Sequence, residues 1–407
     1  MKFNGLVIGI PKEIMEGEKR VAATPETAGK MIKEGALVLV EKGAGEGSYF
    51  PNEDYEKQGA QIIENVCKLY AESDIILKVK EPLFNQEVGL HESDMMKKGQ
   101  YLITFLHPAS PANHSVVRQL ATKGITALTL DGVPRISRAQ AMDALTSMST
   151  VAGYKSVLMA ANRLPKFMPM IGTAIGMIQP SVVLVIGSGV AGLQAIATAK
   201  RLGAIVNAAD IRPDAREQAK SLGAKVVDLG IPPEVAIGEG GYALHLTEEW
   251  LLKERKALGE IVSHSDIIIL SALVPGKIAP ILVTEDMVQN MKTGSVIVDI
   301  AIDQGGNCEI TEPGKVVEKI GVLIDGTKNI PGMLPSSSTW MFSNNIYNFL
   351  SNLVQESSVK DASNQDGKIV IDTEDEIIAS SLVTYQGEVV HAGALEAMKM
   401  LTRRDGK

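Results

Sequence analysis

The stretch VLVIGSGVAGLQAIATAKRLG, residues 183–203, decides the fold class of this chain. An apolar run typical of a buried strand leads into Gly187, Gly189 and Gly192, spaced as G-x-G-x-x-G, and a helical pattern follows. A second apolar run ends at Asp210, 18 residues after Gly192. In this context the glycines allow a tight turn, a close approach of backbone to a pyrophosphate at a helix N-terminus, and close helix packing. The stretch predicts a βαβ unit that binds a dinucleotide.

Asp210 sets the expected choice of dinucleotide. A carboxylate at this point accepts hydrogen bonds from ribose hydroxyls and repels a 2′-phosphate, which favours NAD(H). Arg212, two residues further on, tempers that preference. The alternative interpretation is an ordinary glycine-rich turn followed by a solvated aspartate.

Length and patterning place this unit in a larger α/β protein. The chain has 407 residues, more than one ordinary core holds, and its 45% hydrophobic and 22% charged residues are typical of globular proteins. Short apolar runs alternate with helical patterns, which predicts two mostly parallel sheets. The predicted strands are 6–10, 36–40, 75–78, 101–105 and 125–130 in the first sheet, and 181–189, 204–210, 224–229, 266–272, 294–300 and 321–326 in the second.

Two long helical patterns, 137–162 and 338–354, flank the second sheet, and strand-like patterns at 367–371 and 376–391 close the chain. The chain is therefore predicted to leave a first domain, build a second and return. We expect 1–136 with 330–407 to form a substrate-side domain and 137–329 a dinucleotide-binding domain. The predicted fold is α/β, with two Rossmann-like, doubly wound parallel-sheet domains, long helices linking them and a ligand cleft between them.

Several protein classes are disfavoured by composition. The net charge of −8 argues against nucleic acid as a partner, and there is no polybasic membrane patch. The uncharged segment 167–199 is broken by prolines and glycines, so no membrane-spanning helix is predicted. Cys67 and Cys308 have neither metal nor disulfide spacing, and the N-terminus lacks a signal-peptide pattern. We expect a cytoplasmic protein without a metal ion.

Charged residues outside the glycine-rich turn are candidates for chemistry. Arg20 precedes a predicted helix, whereas Lys78 and Lys80, His107 and Asp303 follow predicted strands. Ligands of open α/β sheets bind beyond the carboxyl ends of strands. Arginine and lysine bind carboxylates and polarise carbonyls, and histidine acts as acid or base near neutral pH. Each residue alone is equally well explained by surface packing or capping, but together they favour a site.

Two further segments are unusual for plain loops. The stretch GVPRISRAQAMDALTSM, residues 132–148, sets Arg135, Gln140 and Asp143 between an apolar run and a helical pattern. The stretch GEGGYALHLTEE, residues 238–249, is glycine-rich but lacks the lysine and preceding strand of a P-loop, which favours a mobile surface flap.

Together these segments resemble the alanine dehydrogenase / proton-translocating transhydrogenase family over nearly the whole chain. RVAATP, GSGVAG, LVPG (273–276) and the strand ending before a double glycine carry the resemblance. PRISRAQAMDALTSM, GEGGYA and LPSSSTWMFSNNIYNFL are similar to the NAD(H)-binding alpha subunits of transhydrogenases. The resemblance implies a homodimer that passes a hydride from NADH to NADP on a partner subunit, coupled to proton flow through a membrane component.

The resemblance also implies roles for individual residues. Arg135, Gln140 and Asp143 would orient the nicotinamide and its ribose. Arg20, Lys80, His107 and Asp303 match alanine dehydrogenase positions for carboxylate binding, carbonyl polarisation, acid–base chemistry, and contact on the nicotinamide-ribose or ammonia side. The positions implied for the nucleotide are Gly187, Gly189, Val190, Gly192, Asp210, Ile211, Arg212, Ala272, Leu273, Thr146, which stands where the family often has serine, and Tyr242 at the tip of a mobile loop.

Three interpretations remain open. The first is a transhydrogenase alpha subunit with an inherited pocket, held at the inner face of the membrane by separate membrane-domain and NADP-binding subunits. The second is a stand-alone amino- or imino-acid dehydrogenase. The third is a non-catalytic NAD(H)-binding regulator. The nicotinamide loop and flap favour the first, and the intact Arg20, Lys80, His107 and Asp303 set favours the second.

Overall fold

The computed structural model describes residues 1–238, 243–244, 246–274, 278–355 and 367–405. The chain divides into two compact units: unit 1 comprises Met1–Met148 and Gly332–Lys407, and unit 2 comprises Ser149–Pro331. The first crossing lies inside the helix Ala144–Arg163. The domain boundary predicted from the sequence lies earlier, after residue 136. The segment in between packs on unit 1, where the Asn345 side chain donates a hydrogen bond to the Ala141 carbonyl at 3.0 Å.

Unit 1 contains an eight-stranded sheet in which six strands run parallel and two antiparallel strands form one edge. The five strands predicted for it are confirmed. From edge to edge the strands are Glu388–Val389, Leu382–Tyr385, Thr126–Thr129, Tyr101–Thr104, Ile75–Leu77, Val7–Ile10, Leu37–Glu41 and Gln61–Ile63.

Two sequence predictions for unit 1 need correction. The strand Gln61–Ile63 is missed, since three residues are too few to show an alternating pattern. The start of the strand predicted at 376–391 is wrong, because Glu376–Ser381 is a helix. Asp375 caps that helix, accepting a hydrogen bond from the Ile377 backbone amide at 2.8 Å. Capping outweighs the strand propensity of the isoleucines.

One of the two hydrophobic cores of unit 1 forms between the sheet and the helix Pro335–Leu353. The strand residues Ile10, Leu77 and Ile103 are fully buried there. The helix contributes buried Phe342, Ile346, Phe349 and Leu353 at three- and four-residue spacing, so one face of the helix covers the sheet.

Unit 2 contains a seven-stranded sheet of six parallel strands with one antiparallel edge strand. The six predicted strands are confirmed, and the edge strand Val316–Lys319 is additional. The order is Lys225–Val226, Ile205–Ala209, Val182–Ile186, Ile267–Leu270, Val296–Asp299, Val322–Asp325 and Val316–Lys319. The chain order reverses beside Val182–Ile186, and a ligand crevice forms at such a switch point in doubly wound sheets.

The uncharged segment 167–199 folds in pieces. After the helix Ala144–Arg163 it forms an antiparallel hairpin, Ile171–Thr173 with Gly176–Ile178, that the sequence does not predict. It continues into the strand Val182–Ile186 and the helix Val190–Arg201. No helix among the described residues is long and apolar enough to cross a membrane.

The helix predicted from residue 137 is wrong at its start. Ser137–Met142 forms 3₁₀ turns, and the α-helix begins only at Ala144. The strand-like pattern at 367–371 contributes Lys368–Ile369, which pairs with Val354–Gln355. The remaining helices are Pro25–Lys33, Asn52–Lys57, Val66–Glu72, Glu92–Met95, His114–Thr122, Pro213–Ser221, Pro233–Ala236, Glu248–His264, Glu285–Gln289 and Ala392–Asp405.

Candidate functional site

The glycine-rich turn of unit 2 has no room for side chains at two of its three glycines. Gly187 has φ of +88°, and a Cβ there would lie 2.6 Å from the Ala272 backbone nitrogen. A Cβ on Gly192 would lie 1.8 Å from the Gly187 carbonyl oxygen. Both contacts are with backbone, which cannot swing aside. These glycines are therefore required by the turn itself and by its packing on the neighbouring strand end.

The outer side of the turn is open. The atom nearest to a Cβ on Gly189 would be Arg212 Nη2, 4.0 Å away. Gly189 is the N-cap of the helix that starts at Val190, and no side chain caps that end. Ser188 is 1% exposed, and its hydroxyl has no hydrogen-bond partner among the described residues. Uncapped amides, a buried unpaired hydroxyl and free space suit the pyrophosphate of a dinucleotide.

Asp210 follows the strand Ile205–Ala209, as predicted, and its carboxylate is fully engaged. It accepts hydrogen bonds from the Ser188 backbone amide at 2.7 Å and the Arg212 backbone amide at 2.8 Å. The Arg212 guanidinium adds bonds from Nε at 3.0 Å and Nη2 at 2.9 Å. Four bonds fill the acceptor sites of a carboxylate. A ribose hydroxyl can bond to Asp210 only when the guanidinium gives way.

The predicted residues Ala272 and Leu273 follow the strand Ile267–Leu270 and lie beside the glycine-rich turn. The Asn307 side chain holds this stretch, accepting from the Ala272 amide and donating to the Ala272 carbonyl, both at 2.9 Å. Asp299 in turn accepts from the Asn307 backbone amide at 2.9 Å. Asn307 and Asp299 are fully buried. Neither is predicted from the sequence, although Asp299 ends a predicted strand.

At the carboxyl edge of the unit 1 sheet, His107 faces Asp131. His107 Nδ1 lies 3.0 Å from Asp131 Oδ1, and the His107 backbone amide donates to Asp131 Oδ2 at 2.6 Å. Thr129 Oγ1 donates to the same Oδ2 at 2.6 Å. Partial burial lowers the pKa of His107, but the Asp131 carboxylate outweighs this, and the net shift is upward. The pair therefore favours a protonated imidazole.

The backbone at His107 adds a second unusual feature. Its φ is +45°, a left-handed conformation that costs a non-glycine residue free energy. The ring stacks on Phe105 at 5.8 Å and nevertheless keeps 44% of the side chain exposed. Asp131 thus holds a strained residue with its ring stacked and accessible.

Lys78 and Lys80 have different environments. Lys78 is fully buried, with Nζ 2.8 Å from Glu92 and 3.4 Å from Glu13, so it belongs to an internal ion cluster. Tyr70 donates to the same Glu92 at 2.9 Å. Lys80 is partly exposed, and its backbone amide donates to Glu13 at 3.3 Å. Lys78, a candidate from the sequence because it ends a strand, therefore does not face a ligand, since its charge is neutralised inside the unit.

Arg20 is 3% exposed and already pairs with a carboxylate. Its Nε and Nη2 donate to the two carboxylate oxygens of Glu18 at 2.8 and 2.5 Å. Nη1 reaches the Met148 sulfur at 3.0 Å, at the end of the 132–148 segment. A substrate carboxylate would therefore share this guanidinium with Glu18.

The 132–148 segment is anchored at alternating points. Arg138 makes a bidentate pair with Asp375 at 2.8 and 2.9 Å, and Ala139 is fully buried. Arg135 lies before these anchors and Gln140 after them, and both residues are exposed. The segment thus fixes the backbone on which two exposed polar residues lie, as a ligand-orienting loop requires.

Asp143 has a local role that is not predicted from the sequence. Its carboxylate accepts from the Thr146 backbone amide at 2.8 Å and from the Thr146 hydroxyl at 2.6 Å, which caps the helix starting at Ala144. This explains the break between Met142 and Ala144. Asp143 and Thr146, which the sequence analysis assigns to the ligand, therefore also form the start of this helix.

The remaining predicted residues are placed as follows. Asp303 is exposed on the 3₁₀ turn Ile300–Gln304 of unit 2, whereas Arg20, Lys80 and His107 belong to unit 1. Ile211 is partly buried beside Asp210. Tyr242, most of the GEGGYA flap and the last two residues of LVPG lie outside the described residues. No group of three or more His, Cys, Asp or Glu suited to a metal occurs in the described part of the chain.

Two domain models of one protein family match most of this chain. The N-terminal domain model of alanine dehydrogenase/PNT matches residues 9–152, and the C-terminal domain model matches residues 156–392. The chain belongs to the alanine dehydrogenase/PNT family. The predicted family resemblance is confirmed.

Family members of both kinds are similar to this chain. The first part of the NAD(P) transhydrogenase alpha subunit of Rhodospirillum rubrum is 42% identical over 385 residues, covering 94% of this chain and 97% of that protein. Alanine dehydrogenase of Bacillus subtilis is 35% identical over 365 residues, covering 87% of each. A transhydrogenase crystal structure from Sinorhizobium meliloti is 37% identical, with a TM-score of 0.80, and covers 94% of this chain and 100% of that one.

Three residues that contact the candidate sites of this alanine dehydrogenase/PNT chain are not predicted from the sequence: Asp131, Asn307 and Glu18. Asp131 carries a visible signal, since it follows the predicted strand 125–130 as His107 follows its neighbour. Glu18 lies two residues before Arg20, a spacing that indicates nothing by itself. Asn307 is identified only by its contacts with Ala272.

Proposed function

We propose that this chain is the NAD(H)-binding subunit of an NAD(P) transhydrogenase. The observation that carries the proposal is the arrangement at the unit 2 switch point: a glycine-rich turn, an uncapped helix end and Asp210 beyond the next strand. The similarity to the transhydrogenase subunit of Rhodospirillum rubrum, over almost the whole length of both proteins, supports this choice.

The residues of unit 2 would divide the nucleotide between them. The amides after Gly189 and the unpaired Ser188 hydroxyl would take the pyrophosphate. Asp210 would accept a ribose hydroxyl in exchange for a bond from Arg212. The Ala272–Leu273 backbone, fixed by Asn307, would line the same crevice. Asp210 and the Ala272 backbone are held by hydrogen bonds before a ligand arrives.

The nicotinamide would be oriented by Arg135 and Gln140 of the anchored 132–148 segment, with Asp143 holding the segment's last turn. When bound, the dihydronicotinamide supplies a hydride. Arg135 and Gln140 would hold the ring so that this hydride could pass to NADP⁺ on the partner subunit. No redox change of this chain is required. Its task is to fix the ring and exclude rival acceptors.

Partners follow from this role. NADP-binding and membrane-domain subunits would be separate polypeptides, the chain would lie on the cytoplasmic side of the membrane through them, and two copies would form the working homodimer. Proton translocation would belong to the membrane partner.

The purified chain, assayed alone, tests the proposal. We expect it to bind NADH, measured by the fluorescence of the reduced nicotinamide, and to oxidise no NADH with ammonium and small 2-oxo acids such as pyruvate. Absence of NADH binding would refute the proposal. If an NADP-binding transhydrogenase subunit is then added and NADH binds without hydride transfer to NADP, the regulator interpretation is favoured instead.

One observation favours a second candidate, a stand-alone amino- or imino-acid dehydrogenase. The His107–Asp131 pair, with Lys80 nearby, is an accessible proton-donating arrangement. In that case oxo-acid turnover would occur in the chain alone and would be abolished by His107→Ala, while NADH binding persists. Asp131→Asn would then shift the pH profile of turnover, because Asp131 sets the pKa of His107.

A further inference from the structure

A carboxyl group lies where an apolar side chain is expected. Glu254, in the helix Glu248–His264, is 5% exposed. Leu251 and Leu258, three residues before and four after it, are buried on the same helix face. No described residue donates a hydrogen bond to the Glu254 carboxyl. Burying a carboxyl to which no described residue donates lowers stability, so its place on this face calls for a function.

Glu254 lies in the same part of unit 2 as Asp210. Ala209 and Ile211, the chain neighbours of Asp210, pack in the same hydrophobic cluster as Leu251. Burial raises the pKa of Glu254 to about 7, the nearby Asp210 charge adds to the rise, and the Arg255 charge opposes it. The two carboxyl groups thus share one low-dielectric region at the end of the strand Ile205–Ala209.

Asp210 and Glu254 differ in whether an arginine donates hydrogen bonds to the carboxylate. Arg212 binds Asp210 through two guanidinium nitrogens and neutralises it. Arg255, the helix neighbour of Glu254, directs Nε to the Ile281 carbonyl at 2.8 Å and Nη1 to Glu248 at 2.9 Å. Within the described part of the chain, Glu254 is therefore the acid of this pair with no hydrogen-bonded cation. Asp210 alone, paired as it is, repels a 2′-phosphate weakly.

We propose that Glu254 is the specificity residue that makes this site reject a 2′-phosphorylated dinucleotide. The inference rests on the proposed NAD(H) role and deepens it. Asp210 and Arg212 hold the ribose end, and Glu254 supplies the negative charge that opposes the 2′-phosphate of NADPH. NADH carries a hydroxyl there and is not penalised. From the sequence alone, this selectivity is expected of Asp210.

The test compares NADH and NADPH titrations of wild type and Glu254→Gln, both at pH 8, where the Glu254 carboxyl is ionised. Glutamine keeps the shape and removes the charge. We expect the Kd for NADPH to fall roughly tenfold while the Kd for NADH stays within about twofold, a difference of about 1.4 kcal/mol in selectivity. Glu254→Met, an apolar side chain of similar size, repeats the test without a buried amide.

Glu249→Gln is the matched control, because it removes one charge from the same helix at a side chain that is 77% exposed. We expect it to change neither affinity. The inference is overturned if Glu254→Gln leaves NADPH affinity unchanged, if both nucleotides tighten equally, or if wild type already binds NADPH as tightly as NADH. Failure of wild type to bind NADH would instead refute the proposed function.

Discussion

Gly189→Ala and Gly192→Ala test two separate roles of the glycine-rich turn, space for a ligand at Gly189 and close packing at Gly192. A Cβ on Gly192 would lie 1.8 Å from the Gly187 carbonyl oxygen, and contacts below 3.0 Å require atoms to move. The helix Val190–Arg201 would have to shift away from the turn by about 1 Å or more. Overpacking of this kind costs about 1–3 kcal/mol. For a unit of this size that lowers Tm by roughly 2–4 °C per kcal/mol.

At Gly189, in contrast to Gly192, the protein has room for a side chain. Its φ of −74° suits alanine, and a new Cβ would find no atom closer than 4.0 Å. The loss of a favourable N-cap glycine and the gain from a stiffer unfolded chain are each about 0.5–1 kcal/mol and oppose one another, so stability changes little. The methyl group would instead occupy the space assigned to the pyrophosphate. We expect at least about a tenfold loss of NADH affinity, or 1.4 kcal/mol.

Thermal unfolding and NADH fluorescence titration of the two variants check this together. The expected pattern is a lowered Tm for Gly192→Ala, and an unchanged Tm with weak binding for Gly189→Ala. If Gly189→Ala binds NADH like wild type, the pyrophosphate does not lie against this turn. A wild-type Tm for Gly192→Ala would contradict the close packing.

Three further predictions concern unit 1. Lys80→Ala should leave NADH affinity unchanged, because the glycine-rich site belongs to unit 2; a large loss in titration would contradict that assignment. Asp131→Asn should lower the pKa of His107, read from the NMR titration of its ring protons, and an unchanged pKa would contradict the pairing. Burial raises the pKa of Glu13 from 4.5 to about 7. The folded protein therefore binds this proton more tightly than the unfolded chain, and the stability gained from it is lost as pH rises from about 4.5 through 7. Glu13→Gln should reduce the fall in unfolding free energy between pH 5 and pH 7.5 by about 1–3 kcal/mol, measured in urea; an unaltered slope would refute it.

The fold of unit 2 is the part that the sequence predicts well. Its signals are local in the chain: the three glycines, the apolar run before them and Asp210 after the next strand indicate the fold class and place the glycine-rich turn beside the point where the strand order reverses. Buried parallel strands such as Ile267–Leu270 are continuous apolar runs, which stand out clearly.

What the sequence does not predict depends on contacts between distant residues. The Asp131 pairing with His107 and the Asn307 contact with Ala272 join strand ends that are remote in the chain. Lys78 looks like Lys80 in the sequence, and only the positions of Glu13 and Glu92 show that it is an internal cation.

Local capping explains the mistaken helix start. The stretch 137–162 shows no strand signal in the sequence, but the Asp143 carboxylate bonds to the Thr146 amide and starts a new helix. A side chain that competes for backbone amides overrides periodicity at that point.

The most direct test of the central claim is deuterium transfer. The chain is mixed with an NADP-binding transhydrogenase subunit, NADH carrying deuterium at both C4 positions of the nicotinamide, and NADP⁺, and the NADPH formed is examined by mass spectrometry. Hydride donation by this subunit predicts deuterium in the NADPH only when both proteins are present, with the label passing directly and none lost to water. NADPH formed without label, or no NADPH although the chain binds NADH, would contradict the claim that this subunit donates the hydride.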